Sequence, residues 1–559
     1  MAIPDPSPAD LRATRAELLG ELALTGSAWS RRWAGAADEW LAALFATAVG
    51  GRPRGFALLA VGGYGRGELA PGSDLDLLLL HDDRGRAGAV ADALWYPIWD
   101  TGIPLDHSVR TAKEVRSAMD GDIRVALGLL AARPIAGDEK LSASLLARAS
   151  DQWKARAGRW LPAVGEMARQ RHAKFGDVAF LLEPDLKESH GGLRDWYLMS
   201  ALGRVVPVLA GVLDGQALAG AGETLALARV ELQRTTCRPG NTLLLQDQDG
   251  VAASLGLGSA DDLMAAVAGA GRALAWASDD GWRRLESWLA GPKGRGGGGD
   301  EVLEPGVVLR DGEVAVPAGY DVAGDPSLAL RVAAASAGLD RPIARTALDR
   351  VAEEAVPPAG VWPPATLHAL LRLLAAGPPA VAAVEALDHV GVWVRYVPEW
   401  EAVRNRPQRN AFHRYTVDRH LLEAAAGAAG LQGSVARPDL LLLGALLHDI
   451  GKGRGGDHTE IGIGIVGEIG PRLGLGAGDV STLQALVRHH LLLPDAATRR
   501  DLDDPATVAN VAAAVGDRDT LDLLAALAEA DGLATGPAAW GAWKAGLVSQ
   551  LTALVAGAL

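Results

Sequence analysis

Hydrophobic positions along the first part of the chain follow two periods, one typical of helices and one typical of buried strands. Apolar residues recur at helical spacing over 8–50, which predicts amphipathic helices. Short apolar runs at 56–61 and 74–80 flank a glycine-rich segment, and such runs predict buried strands joined through a turn. Residues 105–110 are a candidate third strand. The first 140 residues are therefore predicted to be a mixed α+β region.

The rest of the chain is predicted to be mostly helical, with one interruption. Helical patterning covers 141–290 and returns over 325–400 and 415–559. Between these regions lies a glycine-rich stretch at 291–300, which indicates a linker or flexible loop. Strand-like pieces follow at 301–320. The predicted fold class is α+β, mostly helical.

Composition narrows the possible functions. The chain has 559 residues, of which 49% are hydrophobic and 22% charged, values typical of a globular protein. Its net charge of -14 argues against a large nucleic-acid surface, because binding a polyanion requires clustered Lys and Arg. Cys237 is the sole cysteine, which excludes intramolecular disulfides. With no signal-like start and no long apolar run, we expect a cytoplasmic protein with no membrane or nucleic-acid partner.

The glycine-rich segment leads into a pair of aspartates. Gly62 and Gly63 leave backbone N–H groups open to a triphosphate, and Arg66 adds a charge that can contact phosphate. Asp74 and Asp76 are two residues apart, so on a strand they share a face and can hold the same Mg²⁺ ions. Such ions assist an attacking oxygen and a departing pyrophosphate. The pattern predicts a nucleotide-transferring site.

This pattern resembles the DNA polymerase beta-like nucleotidyltransferase superfamily, which carries Gly-Gly or Gly-Ser followed by Asp-x-Asp. The resemblance implies a third carboxylate from a later strand. Asp106 is the first candidate and Asp122 the second. Asp106 stands where many relatives carry glycine, and a polar residue at a strand edge is the alternative interpretation.

A second set of chemically active residues lies in the C-terminal third. His448 and Asp449 follow the apolar helical run 440–447, which would present them at the end of a buried helix. Imidazole and carboxylate suit Mn²⁺, Fe²⁺, Zn²⁺ or Mg²⁺, and Mg²⁺, Mn²⁺ or Fe²⁺ is the metal expected here. With His420 before the pair and Asp531 after it, the order resembles that of the HD phosphohydrolase superfamily, which implies four metal ligands.

Further residues extend this HD site. Lys452 is a candidate catalytic residue that would stabilise phosphate charge. His458, His489 and His490 are candidate ligands of a second metal, and His458 is also a candidate catalytic residue. His413 is better explained as a structural histidine.

Taken together, the two regions resemble the bacterial PII uridylyltransferase/uridylyl-removing enzyme family over nearly the whole chain. The motifs that carry the resemblance include Val61–Glu68, Ser73–Asp76, His107–Thr111, Leu182–Asp195, His413–Asp418 and His448–His458. The resemblance implies transfer of UMP or AMP from UTP or ATP to a tyrosine of the PII signalling protein, and hydrolytic removal at the HD site. It implies a role in nitrogen signalling. The implied domains are a nucleotidyltransferase with N-terminal helices (1–140), a helical domain completing it (141–290), a linker and helical connecting region (291–400) and an HD phosphohydrolase (401–559).

The resemblance also extends the nucleotide-binding set to Ser73, Lys187 and Arg194. Lys187 and Arg194 can equally serve as structural residues that cap helices or pair with the acidic residues of 183–195. The C-terminal ACT domains of the family are not expected within this chain, either because the chain is truncated or because this member lacks them. Direct control of this chain by glutamine through ACT domains is therefore an open question. UTP and ATP both remain possible substrates.

Two alternative functions remain open at this point. A tRNA nucleotidyltransferase also joins Gly-Gly/Asp-x-Asp to an HD domain, although its glycine turn usually continues Val-Arg-Asp rather than Tyr-Gly-Arg. A non-catalytic regulator that binds nucleotide and PII is the other alternative.

Overall fold

The computed structural model describes residues 7–51, 53–82, 84–213, 215–294, 299–408 and 413–559. The chain divides into two compact units. The first comprises residues 1–179 and 183–291, and the second comprises 180–182 and 292–559. The predicted α+β, mostly helical fold class is confirmed. None of the described helices combines the length and apolar character needed to cross a bilayer.

The first unit contains one sheet surrounded by helices. Its elements are α1 Pro8–Gly20, α2 Gly26–Ala48, β1 Phe56–Ala60, α3 Gly62–Gly65, β2 Leu75–His81, α4 Arg84–Trp99, β3 Leu105–Arg110, α5 Ala112–Gly121, α6 Ile123–Leu130, β4 Arg133–Gly137, α7 Glu139–Phe175, α8 Leu193–Gly203, α9 Gln216–Thr236, α10 Leu245–Ser254 and α11 Ala260–Gly294. A 3₁₀ helix covers Pro207–Leu209.

The strand order is β3-β2-β1-β4, with β2 and β3 parallel and the other pairs antiparallel. The parallel pair is connected through α4, as parallel neighbours require a crossover. β1 and β2 are buried on both faces, which explains why their sequences are continuous apolar runs. The three predicted strands are confirmed.

Alternation along the strands separates two hydrophobic layers. Leu77 and Leu79 of β2 pack in a cluster with residues of α2 and α4. Leu78 and Leu80 pack in a second cluster with residues of α5, α6 and α7. Asp76 lies two residues before Leu78 on the same strand, so its side chain points to the same face of the sheet as Leu78 and Leu80. Its carboxylate therefore lies on the face covered by α5 and α6.

Two local features of the first unit differ from the prediction. The segment after β1, expected to be a turn, is one turn of helix, with Gly65 N–H donating to Val61 O at 2.8 Å. The strand β4 was not predicted. Its sequence contains Pro134, which weakens a strand pattern, but proline is tolerated at a sheet edge.

The second unit begins with a small sheet and continues as helices. Its elements are β5 Glu301–Glu304, β6 Val307–Arg310, β7 Glu313–Ala315, α12 Leu328–Leu339, α13 Arg345–Glu354, α14 Pro364–Ala375, α15 Pro378–His389, α16 Trp393–Tyr396, α17 Val417–Ala429, α18 Pro438–Leu447, α19 His458–Arg472, α20 Ala477–His489, α21 Leu492–Arg499, α22 Pro505–Val515, α23 Arg518–Thr535 and α24 Ala542–Ala558. Further 3₁₀ helices cover Pro398–Ala402 and Gln432–Ser434.

The predicted strands at 301–320 form an antiparallel meander, β5-β6-β7. The predicted linker at 291–300 falls partly outside the described residues, at 295–298. Gly291 has φ 63° and ψ −167°, which ends regular helix geometry within α11. The division between the two units falls directly after this glycine, and the four domains expected from the sequence stay predictions.

Candidate active sites

Three carboxylates lie together at one end of the first unit's sheet. Asp76 on β2 and Asp106 on β3 are directly paired in the parallel register. Asp74 comes one residue before β2 begins. Because β2 and β3 are neighbours and the two residues share a register position, their side chains emerge on the same face. The structure thus brings the predicted third carboxylate beside the predicted pair.

Asp122, the second candidate, has a different place. Its carboxylate accepts a hydrogen bond from Arg124 N–H at 2.9 Å and caps the start of α6. A capping aspartate of this kind is explained by helix stability alone. Asp106 is the better candidate for the third carboxylate.

The electrostatics of Asp76 favour a cation at this place. Burial and, next, the charges of Asp74 and Asp106 raise the pKa of Asp76 to about 6, while the Gly63 N–H donates to it and opposes the shift. Three carboxylates this close repel one another unless a positive charge lies between them. Oxygen donors of this kind fit Mg²⁺, which keeps water or phosphate oxygens in its remaining positions.

Gly62 has a steric role beside these carboxylates. Its φ is +55°, and a Cβ built on it would lie 2.7 Å from Asp76 Oδ2. Both the backbone conformation and the close approach therefore require glycine. This explains physically why a glycine occupies position 62 ahead of the aspartates.

A cavity of about 650 Å³ opens beside this glycine turn. It is lined by every predicted nucleotide-binding residue and by the two predicted aspartates, namely Gly62, Gly63, Arg66, Ser73, Asp74, Asp76, Lys187 and Arg194. Its size lies within the range of ligand sites. Five further polar residues that the sequence analysis did not single out also line it, namely Arg124, Gln170, Arg171, Tyr197 and Arg229.

Cationic side chains are held in place around this cavity. Arg66 pairs with Glu68 at 2.7 Å and stacks over the Tyr197 ring at 4.0 Å. Arg229 is buried and donates to Asn241 Oδ1 at 2.7 Å. Burial lowers its pKa, as expected for a cation in a poorly solvated place. An anionic ligand would lower the cost of these buried charges.

Lys187 and Arg194 both line this cavity, and Arg194 is also paired with an acidic residue of its own segment. Arg194 pairs with Glu188 at 2.5 Å while lining the cavity. Burial lowers the pKa of Lys187, and nearby Arg229 and Arg194 lower it further, whereas Glu188 and Asp74 raise it. Lys187 therefore lies between the cationic side of the cavity and the aspartates.

The polar segment 183–195 is anchored by Asp195. This carboxylate is 1% exposed, accepts from the Gly191 N–H at 2.9 Å and contacts the Arg171 guanidinium. His172 Nε2 lies 3.0 Å from it. A buried carboxylate with these partners fixes the turn that carries Lys187 into the cavity.

In the second unit, three predicted HD ligands converge. His420 lies on α17, His448 directly follows α18, and Asp531 lies on α23. The His420 and His448 Nε2 atoms are 3.3 Å apart, and Asp531 Oδ1 is 3.0 Å from His420 Nε2 and 3.6 Å from His448 Nε2. Their donor atoms can hold one metal ion.

Asp449 joins this group to a second one. Its Oδ2 is 3.6 Å from His448 Nε2, whereas its Oδ1 is 3.8 Å from His458 Nε2 and 3.9 Å from His490 Nε2. Asp449, His458 and His490 form another set whose donor atoms can hold a metal ion. One carboxylate thus presents one oxygen to each of two histidine groups, an arrangement suited to two adjacent ions.

Two observations show that these residues fit divalent metal. Within the described chain, Asp449 Oδ1 is buried and makes no hydrogen bond, which is costly unless a cation occupies the space. The Nδ1 atoms of His448 and His490 lie 2.9 and 2.8 Å from the backbone oxygens of Ala445 and Val487. Rings held this way direct Nε2 at a metal.

Neighbouring residues complete the site. Lys452 Nζ lies 2.5 Å from Asp449 Oδ2 and donates to Gln408 Oε1 at 2.7 Å. Sequence patterning offered no signal for Gln408. His413 packs edge-on against His420, with ring centroids 5.5 Å apart.

His489, by contrast, is not brought into either histidine group. Successive helix residues point about 100° apart, so of the predicted His489/His490 pair only His490 faces Asp449.

Two family models match parts of this chain. Residues 417–536 match the HD domain family and residues 163–275 match the GlnD PII-uridylyltransferase family. The chain is 47% identical to a bifunctional uridylyltransferase/uridylyl-removing enzyme of Streptomyces coelicolor, over 99% of the chain and 68% of that protein. It is 45% identical to one from Mycobacterium tuberculosis, over 89% of the chain and 63% of the relative, and 36% identical to one from Corynebacterium glutamicum, over 87% and 70%.

The chain spans about two thirds of the length of these relatives. At these identities and coverages, with a uridylyltransferase-type region and an HD region in one chain, the protein belongs to the bifunctional uridylyltransferase/uridylyl-removing enzyme family.

Proposed function

We propose that this protein transfers a nucleoside monophosphate from UTP or ATP to a tyrosine of a PII signalling protein and removes it again at the HD site. The observation that carries the proposal is the cavity in which Gly62, Gly63, Asp74 and Asp76 face a set of cations. The cations would bind the phosphates of the nucleoside triphosphate. The carboxylates, with the metal ions they hold, would act on the phosphoryl group that is transferred.

At the transfer site, the acceptor hydroxyl oxygen forms a bond to the α-phosphorus. The bond from this phosphorus to the bridging oxygen of the β-phosphate breaks, and pyrophosphate leaves. Asp106, beside Asp76 in the register, is placed to take the hydroxyl proton. Lys187 and Arg194 line the cavity and would hold the triphosphate. Bound Mg²⁺ would assist the attacking oxygen and neutralise the leaving group.

At the HD site, water attacks the phosphorus of the modified tyrosine. The bond from phosphorus to the tyrosine oxygen breaks, the tyrosine regains a proton and the nucleoside monophosphate is released. His420, His448, Asp449 and Asp531 would hold one ion, and His458 with His490 would share Asp449 to hold another. Bound Mg²⁺, Mn²⁺ or Fe²⁺ would acidify the water. Lys452, next to Asp449, would stabilise charge on the phosphoryl oxygens.

Mass measurement of PII tests the transfer. PII is incubated with the protein, Mg²⁺ and either UTP or ATP, and then weighed. An added UMP or AMP identifies both the activity and the preferred base. No added mass with either nucleotide, across effector conditions, would contradict the transfer activity.

Paired variants test whether the reactions use separate sites. Asp74→Asn with Asp76→Asn should abolish attachment and leave removal intact, whereas His448→Ala with Asp449→Ala should do the reverse. Removal is measured on PII modified beforehand by the wild-type protein. Loss of both activities in either variant would show that the sites are not independent.

A further inference from the structure

A second cavity, of about 420 Å³, lies next to the proposed nucleotide cavity. The two share Gly62, Asp76, Arg124 and Gly128 in their walls. Asp106 lines only the second cavity. The carboxylates therefore stand at the junction of two spaces, which is where a nucleotide and an acceptor from opposite sides would meet.

The walls of the second cavity differ in chemistry from those of the first. Six Lys or Arg side chains line the nucleotide cavity, but Arg110 and Arg124 are the cations around the second. Apolar side chains of α5 and α6, Val115, Val125 and Leu129, form one side of it. This combination is poorly suited to a triphosphate and well suited to an aromatic ring with a polar tip.

One side of this cavity is an edge strand. Within the described residues, β3 pairs with β2 alone, so its other edge is free to bond. Such an edge presents backbone N–H and C=O groups that can accept an added strand. Asp106 and Ser108 line the cavity from β3, and they have the same parity along the strand.

Exposed aromatic residues flank the opposite face of the same strand. Trp99 contacts the ring of His107 at 5.6 Å between centroids, and Tyr96 contacts Trp99 at 5.4 Å. Tyr96 is 61% exposed and Trp99 48%. Exposed aromatics that lie side by side are the residue types that anchor protein partners.

We propose that the second cavity is the acceptor subsite and that the protein substrate docks an extended segment along the outer edge of β3. The acceptor tyrosine of that segment enters the cavity towards Asp106. Because side chains alternate along a strand, the residues on either side of the tyrosine point the other way. They would meet Tyr96 and Trp99. This inference rests on the proposed function, since it names where that reaction's protein substrate binds.

Steady-state kinetics with PII as acceptor test the docking. The Tyr96→Ala, Trp99→Ala variant should raise KM for PII by at least about tenfold, the scale expected when two anchoring aromatics are truncated. KM for the nucleotide should stay unchanged, because these residues do not line its cavity. Trp288→Ala is the matched control, since Trp288 is a 41% exposed aromatic of the same unit on α11. It should leave both constants unchanged.

A photo-crosslinking amino acid in place of Trp99 gives a direct second measurement. Crosslinks should form to the PII segment that carries the modified tyrosine, and the same probe in place of Trp288 should not capture that segment. Unchanged KM for PII in the double variant, or crosslinks to another part of PII, would overturn the docking proposal. If the wild type modifies PII in that assay, the proposed function stands even though the docking proposal fails. If the wild type does not modify PII, the proposed function itself fails.

Discussion

Asp76→Asn should stabilise the first unit while it abolishes nucleotide transfer. The side chain is partly buried next to Asp74 and Asp106, which disfavours its ionised form. An asparagine has the same shape and no charge, and its Oδ1 can still accept from the Gly63 N–H that donates to Asp76. Removing the charge thus removes a repulsion and keeps the hydrogen bond.

The magnitude follows from the pKa shift. The pKa of Asp76 rises from 3.8 to about 6, and at about 1.36 kcal/mol per pKa unit this corresponds to roughly 3 kcal/mol of destabilisation at neutral pH. Since the carboxylate is partly exposed and solvent screens it, about 1–2 kcal/mol of unfolding free energy is a realistic gain for the variant. That corresponds to about 2–5 °C in melting temperature for a unit of this size.

The gain should depend on pH in a defined direction. Below the ordinary pKa of 3.8 the carboxyl is protonated in the folded and unfolded chain, so the variant has no advantage. Between 3.8 and about 6 the unfolded chain releases the proton first, so wild-type stability falls as pH rises. Above that range the difference is constant and largest.

Melting curves of wild type and variant across this pH range, in the presence of chelator, measure the effect. Asp122→Asn is the matched control, because asparagine also caps helices well. It should leave stability unchanged. Added Mg²⁺ should raise the melting temperature of the wild type more than that of Asp76→Asn. An Asp76→Asn variant less stable than wild type at pH 8, or a difference that does not grow with pH, would refute the electrostatic reasoning.

Three further predictions concern the HD site. Gly451→Ala should lower the melting temperature and slow hydrolysis at least about tenfold, since its Cβ would lie 2.0 Å from a backbone oxygen of α19. The control Gly455→Ala, whose Cβ would meet open space, should change neither quantity. Equal effects of the two substitutions would contradict the packing argument. Lys452→Met should slow hydrolysis by about 10²–10³-fold, and elemental analysis should find the same amount of bound metal as in the wild type. Loss of metal in this variant would show that the lysine helps to retain the metal. Asp449→Asn should lower bound metal more than His490→Ala does, because Asp449 faces both histidine groups; equal losses would argue against a shared carboxylate.

Much of the fold follows from local pattern. The runs that became β1 and β2 are apolar because both faces of these strands are buried. The helix before His448 is apolar all round because it crosses the interior of its unit. Periodicity did not predict β4, an edge strand with a proline and half-exposed residues, because its sequence carries little of the alternation that identifies strands.

The sequence by itself determined the chemistry of both sites, since Gly62, Asp74, Asp76, His448 and Asp449 are recognised by short spacings. A spacing of two on a strand, or adjacent residues at a helix end, fixes which side chains lie together before any tertiary contact forms.

Only the tertiary structure decided the rest. It paired Asp106 with Asp76 across two strands, and it turned His490 rather than His489 towards Asp449. These choices depend on sheet register and on how each helix is rotated against its neighbours. Both are set by long-range packing of apolar faces, and spacing along the chain does not encode them.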